Sequence, residues 1–321
     1  MLALAGRARV AAVFTILVGG SQPSGPPLAL VTPEGASALM DLPRGEMART
    51  AAWRPGAAGL EWTELELHGR GEARRIKVVA VRLEPARFRL SLENGMAPGG
   101  FLHVWTLDRA PAEAVLALNA GMFEGDGAWG WVVHAGVEYR PPRAGPLAAA
   151  LVVDSLGAVR LVDDASVAAL RSTAGLAGIR EAFQSYPRLL EDGGELPAML
   201  TAPGEAINLQ HRDARLALGL DAAGRLIVAL TRFDALGPSF GSVPFGLTIP
   251  ETALVMRALG AESAVGLDGG ISAQLLLRDA VGETHRWPGI RAVPLGLSAV
   301  PVGGSERGTG KGEETGNGNP R

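Results

Sequence analysis

Cysteine is absent from this chain. That excludes disulfides, thiol catalysis, thiolate-held metals and a lipid anchor on an N-terminal cysteine. The familiar ligand spacings are missing too: no His-x-x-x-His pair, no Asp-x-Asp-x-Asp loop, no Gly-x-x-x-x-Gly-Lys phosphate loop and no nucleotide-cofactor fingerprint. No metal ligands are therefore assigned and no cofactor is identified. A divalent cation such as Ca²⁺, held by carboxylates and carbonyls, stays open because it leaves little trace in sequence. Charge of one sign is also scarce. A net charge of −3, with acids and bases interspersed, gives no electrostatic reason to expect nucleic acid or an anionic membrane as partner. There is no internal repeat, and no apolar run is long enough for a stable membrane span.

Hydrophobic residues make up 47% of the 321 positions, enough for a sizeable core. Arg7 and Arg9 precede a short apolar run at 10–18 and the small residues Gly19, Gly20 and Ser21. A basic start, an apolar centre and small residues after it form a secretory signal pattern, so residues 1–20 are expected to direct export to a periplasmic or extracellular location. Residues 21–60 are rich in Pro, Gly and Ala and are expected to form a loosely packed lead-in, anchored by Trp53 and Trp62. The main domain is expected over 61–302. The tail 303–321 has no sustained apolar content and is expected to be disordered.

Within 61–302, alternating polar and apolar residues predict strands at 63–68, in part at 75–83, and at 87–92 before an Asn94-Gly95 turn. The continuous apolar run 112–118 fits a strand buried on both faces. Further strands are expected at 130–133 and 148–153. Residues 166–182 show helical spacing weakened by Gly175 and Gly178. Segments 214–220 and 225–231 straddle Asp221-Ala222-Ala223-Gly224 as a hairpin. Thr248-Ile249-Pro250-Glu251 reads as a capping box opening a helix to Leu259, closed by Gly260. Strands and helices without regular alternation indicate an α+β fold, a single domain with mixed β-sheets flanked by helices.

Three stretches stand out for chemistry. Gly266-Leu267-Asp268-Gly269-Gly270-Ile271-Ser272 puts a carboxylate at the end of an apolar run, before two glycines that let the backbone turn sharply and approach closely. Asn119-Ala120-Gly121-Met122-Phe123 follows another apolar run, and Arg215-Leu216-Ala217-Leu218-Gly219 places an arginine at a strand edge. Asn119, Arg215 and Asp268 look like one composite site. Each has a plainer reading: Asp268 as a turn residue, Asn119 as a strand-end amide bonding backbone, Arg215 as a solvated charge.

In order along the chain, these stretches together with Gln184-Ser185-Tyr186-Pro187 resemble the motifs of the phosphodiester glycosidase family. The resemblance covers about residues 75 to 300. The best-known activity of that family is removal of N-acetylglucosamine from a sugar phosphodiester. The chain departs from the pattern at Leu216, where a small hydroxyl residue is usual, and at Ile271, where a third glycine is usual. Both changes are expected to tighten or dry the pocket.

The resemblance implies a hydrolase of sugar-1-phosphodiesters or related glycosidic bonds, acting on a small-molecule or glycan substrate. Asp268 would be base or charge stabiliser, Arg215 a planar donor fork for phosphate, and Asn119 and Ser272 contacts for sugar hydroxyls. Gly269, Gly270, Gly121, Gln184, Tyr186, Glu124 and His211 are expected to line the substrate site. Glu124 and Asp126 are the candidates for a second carboxylate, and His134 is a further candidate. The alternative is a non-catalytic carbohydrate-binding domain of the cell envelope with the same fold.

Overall fold

Val78 and Val79 point to opposite faces of the strand Ile76–Leu83, and both are buried. The strand is therefore central rather than half-exposed. A computed structural model describes residues 28–94, 96–97, 100–101, 105–125, 127–145, 147–173, 176–201, 208–233 and 245–302. In it, Ile76–Leu83 lies within a nine-stranded antiparallel sheet. The order is Arg188–Leu190, Ala261–Leu267, Arg215–Asp221, Leu226–Phe233, Ile76–Leu83, Glu61–His68, Ala29–Thr32 and Gly35–Ala38, with Arg54–Pro55 paired to Glu61–His68.

The two faces of this sheet have different tasks. Val79, Val81, Leu216, Leu218, Val228 and Val265 share a core with two five-stranded sheets. Val78, Ala80, Ala217, Ala229 and Ala264 pack with Ile249, Ala253 and Met256 of the helix Ile249–Ala258. That helix starts as its sequence dictates. The Glu251 N–H donates to Thr248 Oγ1 at 3.3 Å, and the Thr248 N–H donates to Glu251 Oε2 at 2.9 Å. Gly260, at φ +95°, follows its end.

The first five-stranded sheet has Leu116–Asn119 at its centre, between Leu275–Arg278 and Leu295–Pro301. Leu116 and Leu118 enter the main core while Ala117 faces Trp105 and Leu276, so this strand is buried on both sides as expected. The second runs Val137–Arg140, Val132–His134, Ile179–Ser185, Ala149–Asp154 and Val159–Asp163.

The α+β class holds, with strands predominating. The sheets are antiparallel in every described pairing rather than mixed, because tight turns such as the one after Asp221 return the chain beside itself. The helical spacing at 166–182 is only half realised. A helix covers Asp164–Thr173, but Ile179–Ser185 is a strand, held between Val132–His134 and Ala149–Asp154. From residue 28 the expected lead-in contributes three strands and the helix Glu46–Thr50, with Leu30, Leu39 and Met47 buried. Trp53 is fixed there by a 2.8 Å bond from Nε1 to the Ala48 carbonyl. The signal segment 1–20, the Asn94-Gly95 turn, Asp126 and the tail 303–321 lie wholly or partly outside the described residues. No described helix is long and apolar enough to cross a membrane.

Candidate active site

Leu216 pairs with Leu267, so the next residues outward, Arg215 and Asp268, stand side by side where their strands end. The turn after Asp268 then folds back onto the neighbouring strand. The Gly270 N–H donates to the Ala214 carbonyl at 2.8 Å, and a Cβ on Gly269 would come within 2.5 Å of that same oxygen. Only glycine allows this approach. The Asp268 N–H donates to the Gly121 carbonyl at 3.0 Å, which joins the large sheet to the sheet containing Asn119. Gly121 turns there with φ +69°, and a Cβ on it would sit 3.2 Å from the Gln184 carbonyl oxygen. The four stretches singled out in sequence thus converge in space.

Burial pushes the Asp268 carboxyl up to about 6, partly opposed by a hydrogen bond from Ser272 and by the nearby Arg291 guanidinium. Asp213 acts in the same direction as burial by adding a like charge. Asp268 Oδ2 is buried and has no hydrogen-bond partner. Such an orphan is costly unless a proton or a ligand meets it. Ser272, 3% exposed, donates its hydroxyl hydrogen bond to this carboxylate.

Asp213 was not among the residues expected here. Its carboxylate lies against the Gly270 backbone, where a Cβ would be 2.7 Å from Oδ2. Burial raises its pKa as well, against the pull of Arg215 and His211. The signal was available: Asp213 and Arg215 are two residues apart at a strand entrance and so share a face. His211 is exposed, with Nε2 3.6 Å from Asp213 Oδ2. Arg215 donates from Nε to the Leu247 carbonyl at 2.9 Å and from Nη2 to the His211 carbonyl. Its fork is largely committed to backbone, and burial lowers its pKa.

Aromatic and basic side chains surround the acids. Tyr186 meets Trp129 edge-on at 4.6 Å, and its pKa is raised by burial and by Glu124 and Asp268 nearby. Glu124 is exposed and ion-paired with Arg143, whose guanidinium lies 5.7 Å from the Trp129 ring centre. Arg291 stacks on Phe123 at 4.6 Å. Neither Arg143 nor Arg291 belongs to any stretch that stood out in sequence.

Three of the expected residues are turned inward. Asn119, 1% exposed, is bonded internally: Nδ2 donates to the Asp268 carbonyl at 2.9 Å and Oδ1 accepts from the Gln274 N–H at 2.9 Å. Gln184, also 1% exposed, is an internal clamp. Its Oε1 accepts from the N–H groups of Trp131 and Arg143, and its Nε2 donates to the Arg143 carbonyl and to Asp164 Oδ1. Leu216 packs in the core between the sheets, so it cannot dry a pocket. His134 pairs with buried Glu181 at 3.0 Å.

Among the described residues, Asp279, Glu283 and His285 are the group close enough together to hold a metal ion. They follow the far end of Leu275–Arg278, and Asp279 already binds the N–H groups of Val281 and Glu283 and the His285 ring. The group is accounted for as a turn staple.

A sequence model of the phosphodiester glycosidase family matches residues 112–299. The match takes in more than half of the chain, which belongs to this family of glycosidases. The fold is similar to that of the zebrafish N-acetylglucosamine-1-phosphodiester alpha-N-acetylglucosaminidase catalytic domain, a structure auto-inhibited by its pro-peptide. The TM-score is 0.55 at 16% identity, covering 88% of this chain and 96% of that one. At that identity the likeness speaks for fold alone. A hypothetical protein from Synechocystis aligns with a TM-score of 0.46 at 15% identity, covering 75% of this chain and 62% of that one, so this chain spans less than two thirds of its length. Comparison with curated proteins finds no match.

Proposed function

We propose that the chain is an exported hydrolase of sugar-1-phosphodiesters or related glycosidic bonds. The observation that carries this reading is Asp268, an acid raised to about 6, with one buried oxygen free of hydrogen bonds, at the meeting of the family's motifs. A group that titrates near neutrality suits proton transfer at physiological pH. In the step envisaged, a water oxygen bonds to the anomeric carbon and gives its proton to Asp268. The electron pair of the breaking C1–O bond leaves with the phosphate monoester. That leaving group departs as an anion, so a fixed positive charge serves it better than a strong acid. Ionised Asp268 also steadies the oxocarbenium-like charge at C1, and Asp213 supplies the second carboxyl group usual for glycoside hydrolysis. Tyr186, half-buried against Trp129, offers an apolar face to a sugar ring. Export rests on Arg7, Arg9 and the apolar run 10–18; full-length chain in the cytosol would contradict it.

Ile271 supports a second reading. It is 46% exposed where the family pattern has a third glycine, and an apolar side chain beside the acid suits a non-catalytic carbohydrate-binding domain. A panel of sugar-1-phosphodiesters and neutral glycosides, incubated with the full chain with and without a chelator, separates the two. Release of phosphate monoester supports the hydrolase, and glycan binding without turnover supports the binding domain. The chelator arm reads any need for a divalent cation.

A further inference from the structure

Arg143, Arg212, Arg215 and Arg291 lie on the segments that carry the site, and among the described residues the first three have polar partners. Arg143 is paired with Glu124, Arg212 forms two bonds to Glu251, and Arg215 spends Nε and Nη2 on backbone carbonyls. Arg291 differs. It is exposed, and among the described residues its guanidinium has neither an ion pair nor a hydrogen bond, only the face of Phe123 at 4.6 Å.

Its position is fixed by backbone. The N–H groups of Ile290 and Arg291 both donate to the Ile271 carbonyl, at 2.7 and 3.1 Å, which fastens this segment to the turn that follows Asp268. The approach needs Gly289, because a Cβ there would meet the Ile271 and Ser272 carbonyl oxygens at 3.0 and 3.1 Å. Gln274 Nε2 holds the Arg291 carbonyl at 3.4 Å. Phe123 comes from the other motif, beyond Asn119, so Arg291 spans the two loops that frame the acid.

Stacking on a ring orients a guanidinium while leaving its in-plane N–H donors free, the geometry that grips phosphate oxygens with two parallel bonds. A cation held close to a buried acid without bonding it leaves room between them for a ligand's anionic group. We infer that Arg291, oriented by Phe123, is the phosphate-binding residue of this site, and that Arg215 is chiefly a structural brace for the His211–Leu247 backbone. This rests on the phosphodiester reading given above and assigns its anionic subsite.

The test uses the full chain in wild-type, R291Q, R291K and R215K forms. Two readouts are taken: steady-state kinetics on an N-acetylglucosamine-1-phosphodiester, and calorimetric binding of methyl phosphate, the leaving-group analogue. Loss of a charge-assisted bond to phosphate corresponds to about tenfold or more in affinity. R291Q is expected to weaken methyl phosphate binding and raise KM by that factor. R291K should recover part of the affinity but not the paired bonds, and binding of neutral N-acetylglucosamine should change less than about twofold. If wild type and R291Q bind methyl phosphate equally, or R215K alone abolishes binding with an unchanged melting temperature, the assignment is overturned. If wild type does not bind methyl phosphate, it is overturned too. If phosphate binds through Arg291 yet no phosphodiester is turned over, the hydrolase reading fails while the anionic subsite stands.

Discussion

The Asn119 side chain bridges the carbonyl of Asp268, 149 residues away in sequence, and the N–H of Gln274, with both bonds at 2.9 Å. It holds the acid's backbone against the start of the next strand. In sequence the same residue looks like a pocket amide. The difference between these roles is measurable.

Asn119→Ala removes one partner from each of two backbone groups that have few other options. Leaving buried groups unpaired costs about 1–3 kcal/mol each, so unfolding free energy should fall by ~2–6 kcal/mol. Urea unfolding reads this directly. A variant with unaltered stability but weakened sugar binding would return Asn119 to the pocket.

The acid limb of the activity profile follows from the two carboxyl groups. Asp268, raised to about 6, must be ionised to take a proton, so kcat/KM should fall as pH drops through that value. Asp213 contributes to the rise by like charge. Asp213→Asn should therefore move the limb to lower pH. A limb that stays put in this variant would show that the two acids do not communicate.

Gly270 has φ +56°, and the Asp213 carboxylate occupies the space a side chain would need. Gly270→Ala is expected to cost at least about 1 kcal/mol from backbone conformation alone. By displacing Asp213, it should also shift the acid limb in the same direction as Asp213→Asn. Melting curves and pH profiles of the two variants test this, and an unstrained Gly270→Ala protein with a wild-type profile would contradict it.

What was legible in sequence was local. The Thr248–Glu251 box and the hairpin around Asp221 are each complete within a few residues, and both formed as read. Asp268 was marked by its own neighbours, an apolar run before it and glycines after it. The segment Ile179–Ser185 was not legible, because pairing on both edges outweighs its helical spacing. Gln184 has a site-like sequence context, yet its amide is spent on four internal bonds. Arg291 carries no local signature. It joins the site only through Ile271 and Phe123, which sequence order does not bring near it.

An Asp268 that takes the proton of water would do so at some cost in stability. Its folded-state pKa of about 6 lies above the ordinary 3.8, so the folded form holds its proton over that window while the unfolded form has released it. Stability from this group is therefore full below about 4 and declines as pH rises through about 6. At pH 8 Asp268→Asn removes a buried charge and keeps the shape. The decisive measurement is turnover of an N-acetylglucosamine-1-phosphodiester by wild type and Asp268→Asn at pH 8, with a melting curve of each sample. The variant is expected to lose about 10²-fold or more in kcat with a melting temperature equal to or above wild type. Wild-type turnover in the variant, together with a lower melting temperature, would make Asp268 a structural turn residue with no part in catalysis.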